Sequence, residues 1–165
     1  MFNMNYTINE LSKGQLSLLN LAVDSALKSP MQSQHGCILA LNNTVVTCGK
    51  NTTRSLVNGQ IVVSCHAEID TIHKYLRTQR VENKTLYKFD LWVIRVGRKT
   101  NGELELRNSK PCKSCLAAMK IYGLRKIYYS LDEKTIACSK IKELENTYIT
   151  KWTKNCDRFH TNWRL

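Results

Sequence analysis

Apolar positions along the first third of the chain fall at helical spacing. Leu11, Leu18, Leu19, Ala22, Val23, Ala26 and Leu27 predict a helix from Thr7 to about Ser29, with Thr7 or Asn9 to cap its start and Pro30 to end it. Two runs of strand formers follow, Cys37 to Leu41 and Thr44 to Cys48. Asn42-Asn43 between them tolerates left-handed backbone, so the pair reads as a hairpin. A two-residue turn sets Leu41 opposite Thr44, and unbroken register then sets Cys37 opposite Cys48. From Thr52 to Ser64 periodicity is weak and Gly59 interrupts it, which predicts a loop with a short strand at Ile61 to Val63. His66 to about Arg77 reads as a helix with one apolar stripe, Ile69, Ile72 and Leu76. Phe89 to Val96 has the composition of a buried strand, and Thr100-Asn101-Gly102 that of a turn. Pro111 suits the first turn of a further helix, Gly123 its end, and Arg125 to Leu131 reads as a strand. The segment holding Ile136, Cys138 and Leu144 is acceptable as helix or strand, and its alternation favours a strand.

The resulting order, αββαβαβ, predicts an α/β fold: a three-layer α-β-α sandwich around a mixed or largely parallel central sheet of about five strands. At 165 residues the chain is sized for a single domain spanning 1–165, with a basic tail from about residue 146. In that tail Trp152, Phe159 and Trp163 lie among Lys151, Lys154, Arg158 and Arg164, and packing is favoured over partner contact.

Composition narrows the class. Hydrophobic residues make up 42% and charged residues 23%, with no bilayer-length apolar run and no basic-then-apolar leader, so a soluble cytoplasmic protein is expected and a membrane partner is not. The seven cysteines are odd in number and irregularly spaced, and two of them sit in a metal-type pair. Reduced thiols are expected. A net charge of +12 raises the expectation of polyanionic partners, nucleic acid included, without separating a polynucleotide from a mononucleotide.

The chemistry concentrates in His66-Ala67-Glu68 and Pro111-Cys112-Lys113-Ser114-Cys115. Structural zinc usually takes four protein ligands, whereas catalytic zinc takes three and keeps an open position. His66, Cys112 and Cys115 supply three. Cys112 and Cys115 share one turn of a helix start, where backbone N–H groups favour thiolate. Glu68, two residues past His66, is too near in sequence for easy co-ligation and is placed to move protons. H-x-E alone is common on helix surfaces, and C-x-x-C alone also fits a structural zinc or a redox pair; together they favour a Zn2+-dependent hydrolase.

With these motifs the chain resembles the zinc-dependent cytidine and deoxycytidylate deaminase superfamily over about residues 10 to 131. The resemblance implies a cytidine deaminase-like fold, Zn2+ on His66, Cys112 and Cys115, and Glu68 as proton shuttle between water, the ring nitrogen and the departing amine. It also implies that Asn51, in Cys48-Gly49-Lys50-Asn51, contacts the sugar or backbone of the substrate, that the N–H of Ala67 meets the base carbonyl, and that the carbonyl of Lys110 accepts from the leaving amine. Arg107-Asn108-Ser109-Lys110 is similar to the CMP/dCMP-type branch, so the expected substrate is a cytosine nucleoside or nucleotide, CMP or dCMP foremost, and the expected assembly a homo-oligomer. Lys50 and Arg54 flank the substrate loop as cations that could meet a phosphate. An enzyme editing cytosine or adenine in RNA or single-stranded DNA is the rival, supported by the basic stretch from Arg107 to Lys126. A silent zinc-stabilised binding module stands further off, because it has no use for Glu68. His35 reads as a structural or loop histidine, His73 as a packed or surface residue, and the Cys156–His160 spacing as weak evidence for metal.

Overall fold

The structure is a computed structural model that describes residues 3–57, 60–79 and 85–148, with the side chains of residue 3 and of residues 54–57 and 60–63 left aside. Strand β1 (Asn3–Thr7) enters a single 3-10 turn, Ile8–Glu10. Helix α1 (Lys13–Leu27) follows. Its N-cap is Ser12, whose Oγ accepts from the Gln15 N–H at 3.3 Å while Gln15 Oε1 accepts from the Ser12 N–H at 2.9 Å. The expected cap at Thr7 or Asn9 is therefore corrected. Thr7 opens the 3-10 turn, its N–H donating to Glu10 Oε2 at 2.7 Å, and two capping motifs in tandem move the helix start along the chain.

Strands β2 (Gln34–Leu41) and β3 (Thr44–Lys50) form the predicted hairpin, with Asn42 and Asn43 at φ 49° and 63°. The predicted register fails. Leu39 pairs Thr47 and Ala40 pairs Val45, so Val46 is an extra residue and the strand carries a β-bulge. Beyond it Cys48 lies opposite Ile38, and Cys37 opposite Gly49. Cys37 is buried and Cys48 exposed, on opposite faces of the sheet rather than cross-strand neighbours. None of the six described cysteines is in a disulfide.

The short strand expected at Ile61 to Val63 is part of β5 (Gln60–Cys65), but the stretch before it, expected to be a loop, is strand β4 (Thr52–Val57), and the two form a second hairpin separate from the main sheet. Helix α2 (Ala67–Thr78) leads to β6 (Asp90–Arg98) and β7 (Leu104–Arg107), then α3 (Lys113–Ile121), β8 (Lys126–Ser130) and β9 (Thr135–Lys140). The main sheet runs β1-β9-β8-β6-β2-β3, with β7 also paired to β6, seven strands where about five were expected. Only β6 and β8 are parallel; every other pair is antiparallel. The sheet is mixed, as expected, and the added strands are β1 and β7. The strand favoured around Ile136 and Cys138 is β9, while Leu144 lies beyond it.

Two apolar layers complete a three-layer α-β-α sandwich. On one face Leu18, Leu19, Ala22 and Ala26 of α1 pack on Ile38, Trp92, Ile94 and Cys138. Trp92 stacks there on its strand neighbour Tyr128 with ring centroids 4.2 Å apart and planes within 3°. On the other face Ile69, Ile72, Leu116 and Met119 from α2 and α3 pack on Cys37, Leu39, Leu91, Val93 and Ile127. At Gly36 the α1 backbone lies directly on the sheet, and a Cβ would run into Ala22 O and the Ala26 N–H. Both are backbone atoms, so Gly36→Ala is expected to cost at the upper end of the ~1–3 kcal/mol seen for overpacking. A urea midpoint unchanged from wild type would refute that close approach. Among the described residues no helix is long and apolar enough to cross a membrane.

Candidate active site

Both motif halves begin helices on the same face of the sheet. His66 is the N-cap of α2 and Cys112 the N-cap of α3, each with extended backbone. Cys115 follows in the first turn of α3 and is buried. The metal-binding atoms of His66, Cys112 and Cys115 lie within 4.8 Å of one another. His66 Nδ1 is 3.2 Å from Cys115 Sγ and 3.6 Å from Cys112 Sγ.

Position comes from the scaffold. Thr71 Oγ1 donates to Ala67 O at 2.7 Å and lies 3.3 Å from Cys37 O, and the Lys50 N–H donates to Asp70 Oδ2 at 3.1 Å, so α2 is tied to the first hairpin. Gly49 allows the approach: a Cβ there would come within 2.7 Å of Thr71 N. The segment that delivers Cys112 is held by two buried hydroxyls. Ser109 Oγ donates to Val93 O at 2.7 Å and accepts from the Ser130 N–H at 2.9 Å, the Ser109 N–H donates to Ser130 O at 2.8 Å, and Ser130 Oγ donates to Arg107 O at 2.6 Å. Asn146 Nδ2 donates to Pro111 O at 2.7 Å, and the Lys113 N–H to Tyr148 O at 2.9 Å. Ser109→Ala would leave the Ser130 N–H unpaired in the interior, at a cost of about 1–3 kcal/mol in denaturant unfolding. A loss below half of the lower figure would show that the loop is held by something else.

Electrostatics fit a thiolate site. A hydrogen bond from Cys115 and, against burial, those to His66 push Cys112 down to about 4. Burial disfavours charge on His66, yet the Cys112 and Glu68 charges beside it raise its pKa overall. Burial pushes the Glu68 carboxyl up, with the His66 charge opposing. Glu68 is 5% exposed and stands outside the three-residue ligand cluster. Two thiols and an imidazole with a carboxyl held apart are the donor set of a three-coordinate zinc site with an open position, and the chain's cofactor is Zn2+.

The site opens into a cavity of about 610 Å³ lined by His66, Ala67, Glu68, Cys112, Asn51 and Lys110, all residues that the sequence singled out. Asn51 is more committed than a free substrate contact would be. Its Oδ1 accepts from Ser29 Oγ at 2.7 Å and from the His35 N–H at 2.8 Å, and Nδ2 donates to Ser33 O at 2.6 Å. One Nδ2 hydrogen remains for a ligand. Ala67 stands at the first position of α2, where the helix leaves an N–H without an internal partner. Lys50 turns away, its Nζ donating to Lys28 O at 2.7 Å. The Arg54 side chain, the tail aromatics Trp152, Phe159 and Trp163, and the Cys156–His160 pair lie outside the described residues.

Two basic side chains on the cavity wall, His35 and Arg95, were not foreseen as site residues. His35, read as a structural or loop histidine, lines the cavity with Nδ1 at 3.1 Å from Ser33 O, and burial pushes it down to about 4. Arg95 lines the same wall. His73 is packed, edge-on to Tyr122 with centroids 6.5 Å apart.

The chain belongs to the zinc-binding deaminase family: the model of the cytidine and deoxycytidylate deaminase zinc-binding region matches residues 12–131. Among solved structures it is similar to cytidine deaminase from Burkholderia pseudomallei, at 15% identity over 84% of this chain and 100% of that one, with a TM-score of 0.57. It is also similar to dCMP deaminase from the cyanophage S-TIM5, at 16% identity over 70% of this chain and 81% of that one, with a TM-score of 0.50. A structure from a study of tRNA:A34 deaminases aligns at 21% identity over 69% and 74% of the two chains, with a TM-score of 0.45. No curated protein sequence matches the chain.

Proposed function

We propose that the chain is a hydrolytic deaminase acting on a cytosine nucleoside or nucleotide, CMP or dCMP foremost, to give the uracil form and ammonia. The observation that carries this reading is Glu68, a buried carboxyl lining the cavity, beside the ligand set and not within it. Zinc held by His66, Cys112 and Cys115 would supply a water activated for attack near neutral pH. Glu68 takes the proton that this water gives up and returns it to the ring nitrogen, and a second transfer protonates the exocyclic amine as it leaves. One water enters, one ammonia departs, and a carbonyl replaces the amine. A carboxyl with a raised pKa can do both halves of that transfer. In this reading the Ala67 N–H meets the base carbonyl, the Lys110 carbonyl accepts from the leaving amine, and Asn51 contacts the sugar or backbone of the substrate.

A cavity of about 610 Å³ is of the size that takes a small molecule. The basic stretch that favours the nucleic-acid rival is broken up: Arg107 is paired with Glu105 at 2.6 Å and Arg125 with Asp90 at 2.7 Å. The test is ammonia release from cytidine, deoxycytidine, CMP, dCMP, adenosine and short oligonucleotides. Turnover of CMP or dCMP is expected to be only modestly salt-sensitive and little changed in Lys113→Glu with Lys120→Glu. Turnover confined to oligonucleotides, with log affinity falling by roughly 0.7 per phosphate contacted for each log unit of salt, would replace this reading with the editing one.

A further inference from the structure

Arg95 lies in β6 with the same parity as Leu91 and Val93, so its side chain leaves the sheet on the face that carries α2 and α3. Its partner across the sheet on β2 is His35, and both line the cavity that holds His66, Glu68 and Cys112. The guanidinium makes no hydrogen bond or ion pair with any described residue, and its Nε is fully buried without a partner. Other cations of this basic chain do find carboxylates: Lys74, Lys99, Arg107, Arg125 and Lys140 are each ion-paired. A guanidinium stays charged in proteins and presents five donors; in half-buried Arg95 the Nε donor is shut away from water without a partner, and the side chain lines the cavity with its remaining donors uncommitted. Among the described residues the one carboxyl on the cavity wall is Glu68, which the proton transfer requires. At the rim stand Lys110 and Asn108, and Asn108 Oδ1 accepts from the Lys110 N–H at 2.9 Å, which leaves the Asn108 amide donors free for a ligand.

A neutral cytosine and a sugar offer no charge to such a wall; a phosphate does, and its paired oxygens match the fork of an arginine. We infer that Arg95, supported by Lys110 and Asn108, binds a phosphate of the substrate and makes this site select phosphorylated over free nucleosides. The inference rests on the deaminase reading for the position of the base, and takes the 5′-monoester of a mononucleotide or a phosphodiester of a strand as the two sources of the same group.

The experiment uses the full zinc-loaded chain as wild type, Arg95→Met and Arg95→Lys. It measures kcat/KM for CMP and dCMP against cytidine and deoxycytidine, and for an oligodeoxycytidine without terminal phosphate. Calorimetric binding of UMP and dUMP against uridine and deoxyuridine supplies a readout without turnover, and zinc content and Tm report the fold. In Arg95→Met the nucleotide-to-nucleoside ratio of kcat/KM is expected to fall roughly 10- to 100-fold, chiefly through KM, with the same change in the binding ratio. Arg95→Lys, which keeps the charge and much of the volume, should lose part of it. Zinc content and Tm should both hold, since the half-buried Arg95 side chain makes no hydrogen bond or ion pair with the described residues for the change to break. Loss on the oligonucleotide alone would assign the phosphate to a strand. Equal losses on nucleotides and nucleosides, or a wild type indifferent to the phosphate, would overturn the inference. Should no substrate release ammonia while Arg95 still governs UMP or dUMP binding, the deaminase reading fails and the phosphate site stands. Deamination in which Arg95→Met leaves the ratio unchanged removes the phosphate site and leaves the deaminase reading intact.

Discussion

Glu68→Gln is expected to keep its zinc and lose most of its turnover, roughly 10²- to 10⁴-fold, the range typical of a general acid–base group. Glutamine matches glutamate in shape, so the packing around a side chain only 5% exposed is preserved. It cannot accept and return a proton at neutral pH. Because the carboxyl lies outside the ligand cluster, metal content should be indifferent to the change. Steady-state ammonia release and elemental analysis on the same preparation check both halves. Activity near wild type would remove Glu68 from the mechanism, and loss of zinc would make it a ligand.

Cys112→Ala is expected to abolish zinc binding and reduce turnover to background. The hydrogen bond from Cys115 and, against burial, the His66 imidazole make Cys112 the thiol most readily ionised, at about 4. Removing it leaves an imidazole and one thiol, too few for a three-ligand site. Stoichiometric zinc in Cys112→Ala, measured by elemental analysis, would show that another group completes the set. A cobalt-substituted wild type should show two-sulfur tetrahedral absorption with an exchangeable position; a fourth protein ligand would contradict the hydrolytic reading.

Much of this site was legible because its determinants are local. Ligand spacing, helix starts and the carboxyl two residues past His66 are all short-range; the three ligands come together in one cluster, and His66, Cys112 and Glu68 line one cavity. The Asn42-Asn43 turn was legible for the same reason. What escaped depended on distant partners or on a signal set aside. The extra residue at Val46 is decided by how β3 lies on its neighbours, and nothing in Thr44 to Cys48 marks it. Strand β1 is polar and exists through pairing with β9; β7 is four residues long and exists through pairing with β6. The β4–β5 hairpin did carry a signal, Asn58-Gly59 between two runs rich in β-branched residues, which outranks weak periodicity as a hairpin marker. Arg95 sits in an apolar run where a charge looks like an interruption; only the parity of β6 and its pairing to His35 turn it toward the cavity.

The Ser109–Ser130 pair bears on how the protein meets its metal. Its hydrogen bonds tie the Cys112 segment to β6 and β8 through neutral hydroxyls and backbone, and Thr71 ties the His66 helix to β2 in the same manner. None of these bonds is made by a ligand atom. The donors are thus arranged by the sheet, unlike those of a zinc finger, whose chain orders only around its ion. Metal loading is then expected to be an exchange at a standing socket, its rate set by entry through the cavity mouth and by proton loss from Cys115, whose thiol the hydrogen bond to Cys112 and burial push up, so that zinc should be stripped and refilled, or replaced by cobalt, without passing through the unfolded chain.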